Sequence, residues 1–162
     1  MSRITTCLWS PDGRALDMAE YYVSVFPDSK ITTTGLYDEP NQHIPESKKW
    51  DVMIVEFTLC GDNKFATLNG GPYFQHSCAA SWMIPCASQE ELDYYYSKLS
   101  TVPDAEQCGW ICDQFGVSWQ LIPANFTEYM RTSDAAKTTK FMKAIMDMKR
   151  LSWDAIEEAY NS

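Results

Sequence analysis

The sequence predicts an α+β fold, two βαβββ units followed by C-terminal helices, and three observations carry that prediction. Residues 4–9 and 51–59 alternate with the period-two pattern of strands. Residues 16–26 and 92–99 repeat apolar side chains at the three- and four-residue spacing of helices. Near Ala80 the order of strand, helix and strands begins again, as in an internal duplication.

Taken in order, Ile4 to Trp9 is rich in β-formers and reads as the first strand, closed by the turn-forming run Ser10-Pro11-Asp12-Gly13. Leu16, Ala19, Val23 and Phe26 share one helical face, and Pro27-Asp28 ends that helix. Lys30 to Tyr37 is a Thr-rich second strand; Asp38 to Lys49, with Pro40, Asn41 and Pro45, is a loop and a candidate lid. In the strand from Asp51 to Leu59, Met53, Val55, Phe57 and Leu59 form one face for a helix, and Val52, Ile54, Glu56 and Thr58 form another for a cavity. A Gly61-Asp62-Asn63 turn leads to the strand from Lys64 to Asn69, which runs into Asn69-Gly70-Gly71-Pro72.

The second unit opens with a strand from Ala80 to Cys86. Ser88 with Glu91 is a capping box for a helix that buries Leu92, Tyr95, Tyr96 and Leu99. Ser100 to Glu106 leaves room for only a very short strand; Gln107 to Asp113 and Val117 to Pro123 make the next pair around Phe115-Gly116. Two amphipathic helices follow. The first runs from Asp134 to Met148, capped by Thr132 or Ser133, with Phe141, Met142, Ile145, Met146 and Met148 on its apolar side; the second runs from Ser152 to Tyr160. The expected organisation is a single domain over residues 1–162: a first unit at 3–75, a shortened second unit at 78–124 and helices at 126–162.

Composition narrows the partners. A net charge of −9 without a Lys/Arg cluster repels phosphate backbones and anionic lipid, so neither nucleic acid nor membrane is expected as a partner. No apolar run is long enough for a signal peptide or a bilayer span, which places the protein in the cytoplasm. The six cysteines, Cys7, Cys60, Cys78, Cys86, Cys108 and Cys112, form no Cys-x-x-Cys pair, and His43 and His76 are far from most of them; they read as reduced thiols.

The two-unit order together with Glu20-Tyr21-Tyr22, Leu68-Asn69-Gly70-Gly71-Pro72, Gln107-Cys108-Gly109-Trp110 and Phe115-Gly116-Val117-Ser118-Trp119-Gln120 resembles one family. This is the PhnB-like, or 3-demethylubiquinone-9 3-methyltransferase-like, branch of the vicinal-oxygen-chelate (glyoxalase/bleomycin-resistance/dioxygenase) superfamily. The resemblance spans most of residues 3 to 160 and implies a cupped sheet from each unit, paired into a half-barrel, in a homodimer. Methyl transfer is not expected despite the label. A usual S-adenosylmethionine site needs a parallel sheet and a glycine-rich first strand-to-helix loop, and that loop reads Ser10-Pro11-Asp12-Gly13-Arg14 here.

Metal-dependent members of the superfamily place ligands on the first and last strands of each unit. The resemblance carries those places to Thr5, to Leu68 or Asn69, to Ser81 and to Gln120. Hydroxyls and neutral amides do not hold a catalytic divalent ion without a carboxylate or imidazole, so no metal and no cofactor is expected. Thr5, Asn69, Ser81 and Gln120 instead offer either a polar floor for a ligand or a set of mutually satisfied groups. Trp9, Phe74, Trp82, Met83, Trp110 and Trp119 serve as aromatic and apolar walls or as core.

Three residues are weak catalytic candidates. Glu56 reads either as a buried base or as a paired edge residue, Cys7 as a nucleophile without a partner histidine, and His76 as a cavity-mouth or surface histidine. Three functions therefore stay open: a metal-independent binder of a small organic ligand; an isomerase, lyase or dioxygenase on the same cup; and an interaction module filled by its own side chains.

Overall fold

The computed structural model describes residues 4–41, 44, 48, 51–131 and 134–162. Half of the loop read as a lid, and the proposed caps Thr132 and Ser133, lie outside the described residues. The chain forms an α+β structure with two sheets and several helices, divided into compact units at residues 1–75 and 76–162. No helix among the described residues is long and apolar enough to cross a membrane.

The first unit contains β1 (Thr6–Ser10), α1 (Ala15–Val25), β2 (Lys30–Leu36), β3 (Val52–Leu59) and β4 (Asn63–Asn69). Its sheet has the order β1-β4-β3-β2, with β1 parallel to β4 and the other neighbours antiparallel. The face toward α1 is fixed by β4. Thr67 Oγ1 donates to the Ala15 carbonyl at 2.7 Å, and Asn69 Oδ1 accepts from the Ala15 N–H at 2.9 Å. Strand alternation then puts Phe65, and by register Phe57 and Val55, on that same face, where Tyr22 and Met18 of α1 are also fully buried. Each such side chain stabilises the fold by roughly 1.5–3 kcal/mol.

The buried stripe of α1 is Ala15, Met18, Ala19, Tyr22 and Val25, rotated from the expected stripe of Leu16, Ala19, Val23 and Phe26. The hydrogen bonds to Ala15 set this phase, and they turn Leu16 to the helix flank, where it lines a cavity. On the opposite sheet face lie Cys7, Trp9, Ile54, Glu56, Ala66 and Leu68, as the register requires.

The second unit contains β5 (Ser81–Cys86), α2 (Gln89–Leu99), a 3₁₀ turn (Pro103–Ala105), β6 (Trp110–Cys112), β7 (Ser118–Pro123), α3 (Phe126–Arg131), α4 (Ala135–Met146) and α5 (Trp153–Asn161). Its sheet has the order β5-β7-β6, again with the first strand parallel to the last. The 3₁₀ turn stands where a very short strand was expected. Pro103 at its start has no N–H for a ladder.

The strand expected from Gln107 shrinks to Trp110–Cys112. Cys108 and Gly109 have φ of 54° and 82°, and their N–H groups bond to the Met148 and Lys149 carbonyls instead of a neighbouring strand. In α2, Ser88 Oγ accepts from the Glu91 N–H at 3.2 Å, and Leu92, Tyr95 and Leu99 are buried. Tyr96 is half-buried, with the Arg150 guanidinium 5.5 Å from its ring centre.

The helices after β7 number three among the described residues, one more than expected, because α3 is too short to show a periodic stripe. Asp134 caps α4, its Oδ1 accepting from the Ala136 and Lys137 N–H groups. Phe141 and Ile145 are the buried residues of α4, while Met146 is exposed. Phe141 packs between Phe126 and Tyr129, with ring centres 5.5 and 4.7 Å away.

Candidate functional site

The first unit holds two adjoining cavities where β1 and β4 end. One, of about 710 Å³, lies along the turn from Pro11 to Gly13 and the flank of α1 marked by Leu16 and Asp17. The other, of about 630 Å³, is walled by Trp9, Met53, Leu68, Tyr73 and Phe74. Both share Tyr37, Ile44 and Asn69 as lining.

Asn69 is the structural divider. Its Oδ1 is taken by the Ala15 N–H, its Nδ2 donates to the Val52 carbonyl at 2.9 Å, and its own carbonyl accepts the Tyr37 hydroxyl at 2.7 Å. Its side chain thus ties α1 and β3 to the end of β4, and its backbone carbonyl adds Tyr37, just past β2. With both ends of the amide engaged, it has little capacity left for a ligand.

Trp9 forms the floor of the second cavity. Its Nε1 donates to the Gly71 carbonyl at 2.8 Å, and its ring meets Phe74 edge-on with centres 5.0 Å apart. Tyr73 and Phe74 are 59% and 63% exposed, so the aromatic wall opens outward. Among the described residues no charged side chain contributes to this lining, in contrast to the acidic chain as a whole.

The first cavity is different. Asp12, Asp17 and Asp51 contribute to it, and Asp12 forms an exposed ion pair with Arg14 at 2.5 Å and accepts from the Ser10 hydroxyl at 3.2 Å. Desolvation raises the Asp12 carboxyl, but Arg14 and Ser10 outweigh it and hold the group below the usual carboxylate range.

The structure brings some of the expected site residues together. Ser81 and Gln120 satisfy each other, Gln120 Nε2 donating to Ser81 Oγ at 2.7 Å, and Met83 stands beside Gln120 in the ladder. Trp82 packs against the buried Trp119 with ring centres 5.9 Å apart. Asn69 and Phe74 line the first-unit cavities.

Others are placed apart. Thr5 precedes β1 and is exposed; Glu56 is exposed rather than buried, with Ala66 between it and Cys7 across the strands. Cys7 is exposed along its chain, yet desolvation of its sulfur raises the thiol above the ordinary cysteine value, the opposite of what activates a nucleophile. His76 is half-buried near Gly116. None of Thr5, Glu56, Cys7 and His76 lines either cavity.

Sequence reasoning missed Tyr37, Ile44, Tyr73 and the buried Asp113. Asp113 accepts from the Phe115 and Val117 N–H groups and from Trp119 Nε1 at 2.8 Å, which pins the β6–β7 turn. The aspartate two residues before Phe115-Gly116 was its visible signal.

The divalent ion implied by the superfamily does not fit these residues. Ser81 and Gln120 are engaged with each other, both ends of the Asn69 amide are used, and no group of three or more His, Cys, Asp or Glu side chains among the described residues could hold a metal.

Residues 2–122 match the family described as 3-demethylubiquinone-9 3-methyltransferase. Among solved structures, the chain is similar to the PhnB protein from Bacillus cereus, at 30% identity and a TM-score of 0.61 over 76% of this chain and 100% of that one. It also shares its fold with protein PA1353 from Pseudomonas aeruginosa, at 16% identity and a TM-score of 0.54, covering 76% and 98% of the two chains. No curated protein matches it. The family match ends at residue 122, so α3, α4 and α5 lie beyond it.

Proposed function

Since this chain belongs to the 3-demethylubiquinone-9 3-methyltransferase family, with a glyoxalase-like PhnB fold, we propose that it binds a small, uncharged aromatic molecule against Trp9 and Phe74. The observation that carries this reading is the aromatic-walled cavity of about 630 Å³, without a charged side chain among its described lining residues, whose size is in the range of small-molecule sites. Burying apolar ligand area there is favourable at roughly 25 cal/mol per Å² before the cost of association.

The proposal includes no divalent ion and no methyl transfer. Supporting the first part is the engaged state of Asn69, Ser81 and Gln120. Supporting the second is the turn between β1 and α1, where Ser10, Asp12 and Arg14 bond to one another in place of a glycine-rich phosphate cradle. The homodimer and cytoplasmic location implied by the resemblance and the composition belong to the same proposal.

A calorimetric titration with 2-naphthol tests the reading. Saturable one-to-one binding is expected, weakened roughly tenfold by Phe74→Ala, the change that loss of one aromatic contact brings. Binding indifferent to both Phe74→Ala and Leu68→Gln would sink it, as would tight uptake of zinc, nickel or manganese. A native mass spectrum of the freshly purified protein reads bound ligand mass and subunit number together.

A further inference from the structure

The run Gln107-Cys108-Gly109-Trp110 takes no part in the first-unit cavities; in the second unit it meets the C-terminal end of α4. Cys108 Sγ lies 3.4 Å from Met146 Sδ, so two sulfurs 38 positions apart in the sequence are in direct contact. Met146 stands beyond residue 122, where the family match ends, and the second sulfur is therefore brought by the C-terminal helices.

Several hydrogen bonds anchor the pair. The Cys108 N–H donates to the Met148 carbonyl at 2.8 Å and the Gly109 N–H to the Lys149 carbonyl at 2.9 Å. Gln107 Nε2 donates to the Met146 carbonyl at 2.7 Å and reaches Cys108 Sγ at 3.4 Å. These bonds fix where both side chains start, while the sulfur contact itself lies at the surface, with Cys108 half-buried and Met146 55% exposed. An ion in solution can reach it.

The donor set selects the ion. A thiolate and a thioether are soft, polarisable ligands, poorly matched to magnesium, calcium or manganese. One of each also falls short of the four-donor shell of a structural zinc, whereas a soft monovalent ion is satisfied by two sulfurs. Metal–sulfur bonds of about 2.3 Å span sulfurs up to about 4.6 Å apart, so the pair must open by about 1 Å to admit an ion. Met146 can give that distance, because methionine turns about three side-chain bonds and this one is exposed. The thiol proton passes to solvent as the ion binds.

We propose that Cys108 and Met146 form a two-sulfur site for a soft monovalent metal ion of the copper(I) class. It does not rest on the aromatic-ligand reading, since neither residue lines the first-unit cavities, and it is not the divalent site of the superfamily.

Silver nitrate added to the full chain in chloride-free buffer tests this, with carbon-13 NMR of the methionine methyl groups as the readout. The eight methionines give eight signals, and Met146→Leu identifies the relevant one. The first equivalent of silver is expected to move the Met146 signal and leave the other seven in place, and Cys108→Ser to abolish that movement at the same ratio. At one equivalent, silver should also shield Cys108 from iodoacetamide in preference to the exposed Cys7, Cys60 and Cys78, as read by peptide mass spectrometry. Met146→Leu should remove that preference.

The seven unaffected methyl signals report whether Cys108→Ser is folded, and the wild-type titration and the Met146→Leu comparison stand without that variant. The proposal fails if silver is taken up while the Met146 signal stays in place, if that signal moves equally in folded Cys108→Ser, or if Met146→Leu leaves the shielding of Cys108 unchanged.

Discussion

Gly70 shows how closely one position can be tied to the aromatic floor. A Cβ built there would lie 2.0 Å from Trp9 Cη2, so alanine must push the indole away from the Gly71 carbonyl. Gly70→Ala is expected to lower stability by about 1–3 kcal/mol, the usual cost of overpacking, and to weaken naphthol binding; urea unfolding and calorimetry check the two effects. Cys86 makes a pH-dependent prediction. Burial, with a smaller contribution from Glu91, pushes its thiol up to about 12. The folded value is above the unfolded one, so the contribution to stability is intact below about pH 8.5 and declines as pH rises toward 12, because the unfolded chain ionises first. Wild type should therefore lose more stability than Cys86→Ala between pH 9 and 11, by on the order of 1 kcal/mol per pH unit at most. Equal slopes in denaturant titrations would refute this. Asp12 has the opposite sign. Its lowered carboxyl contributes above the unfolded carboxylate value near 3.9 and loses that contribution in more acidic solution, an effect kept small by its exposure.

At the level of elements, the join between α2 and the C-terminal helices depends on polar clamps. Gln89 Nε2 donates to the Leu151 carbonyl at 3.2 Å and its Oε1 accepts from the Trp153 N–H, while Arg150 pairs with Asp93. Gln89→Ala should cost about 1–2 kcal/mol and raise hydrogen exchange in α5 before α2, because α5 loses an amide acceptor and α2 does not. Exchange that rises uniformly across the chain would speak against a local clamp. Gly109 belongs to the same join. With φ at 82° and a notional Cβ 2.6 Å from the Leu121 carbonyl, it lets the chain turn where the 148–149 segment bonds to Cys108 and Gly109. These clamps explain why strand length was hard to read. Gln107 to Asp113 has strand-like residues, but the N–H groups of Cys108 and Gly109 find their partners some forty positions along the chain, and no local pattern encodes that.

Across the whole molecule, the two sheets and the helix crossing each of them were legible because they depend on local periodicity. Phe57, Val55 and Leu59 announce their buried face through alternation, and Ser88 with Glu91 announces the start of α2. The candidate site was legible only in part. Trp9, Phe74 and the Gly70-Gly71-Pro72 turn could be picked out, whereas Tyr37 and Ile44 reach the cavities through a loop whose path no periodicity specifies. Asn69 illustrates the finer limit, because strand parity decides whether a polar residue meets a ligand or a helix, and here it meets Ala15. Phe57→Ala, in the shared core of α1 and the first sheet, should cost about 3–5 kcal/mol and abolish naphthol binding if the cavity needs an intact sheet; thermal unfolding and calorimetry on one sample decide it.

The parallel pairing of β1 with β4 also governs when the protein can start to assemble. Among the described residues the ladder of β1 runs only to 65–69, so a nascent chain leaving the ribosome carries its opening strand unmatched until the whole of β4 has emerged. Leu8 and Trp9 must wait through synthesis of α1, β2 and β3, and it is during that interval that a chaperone would find them.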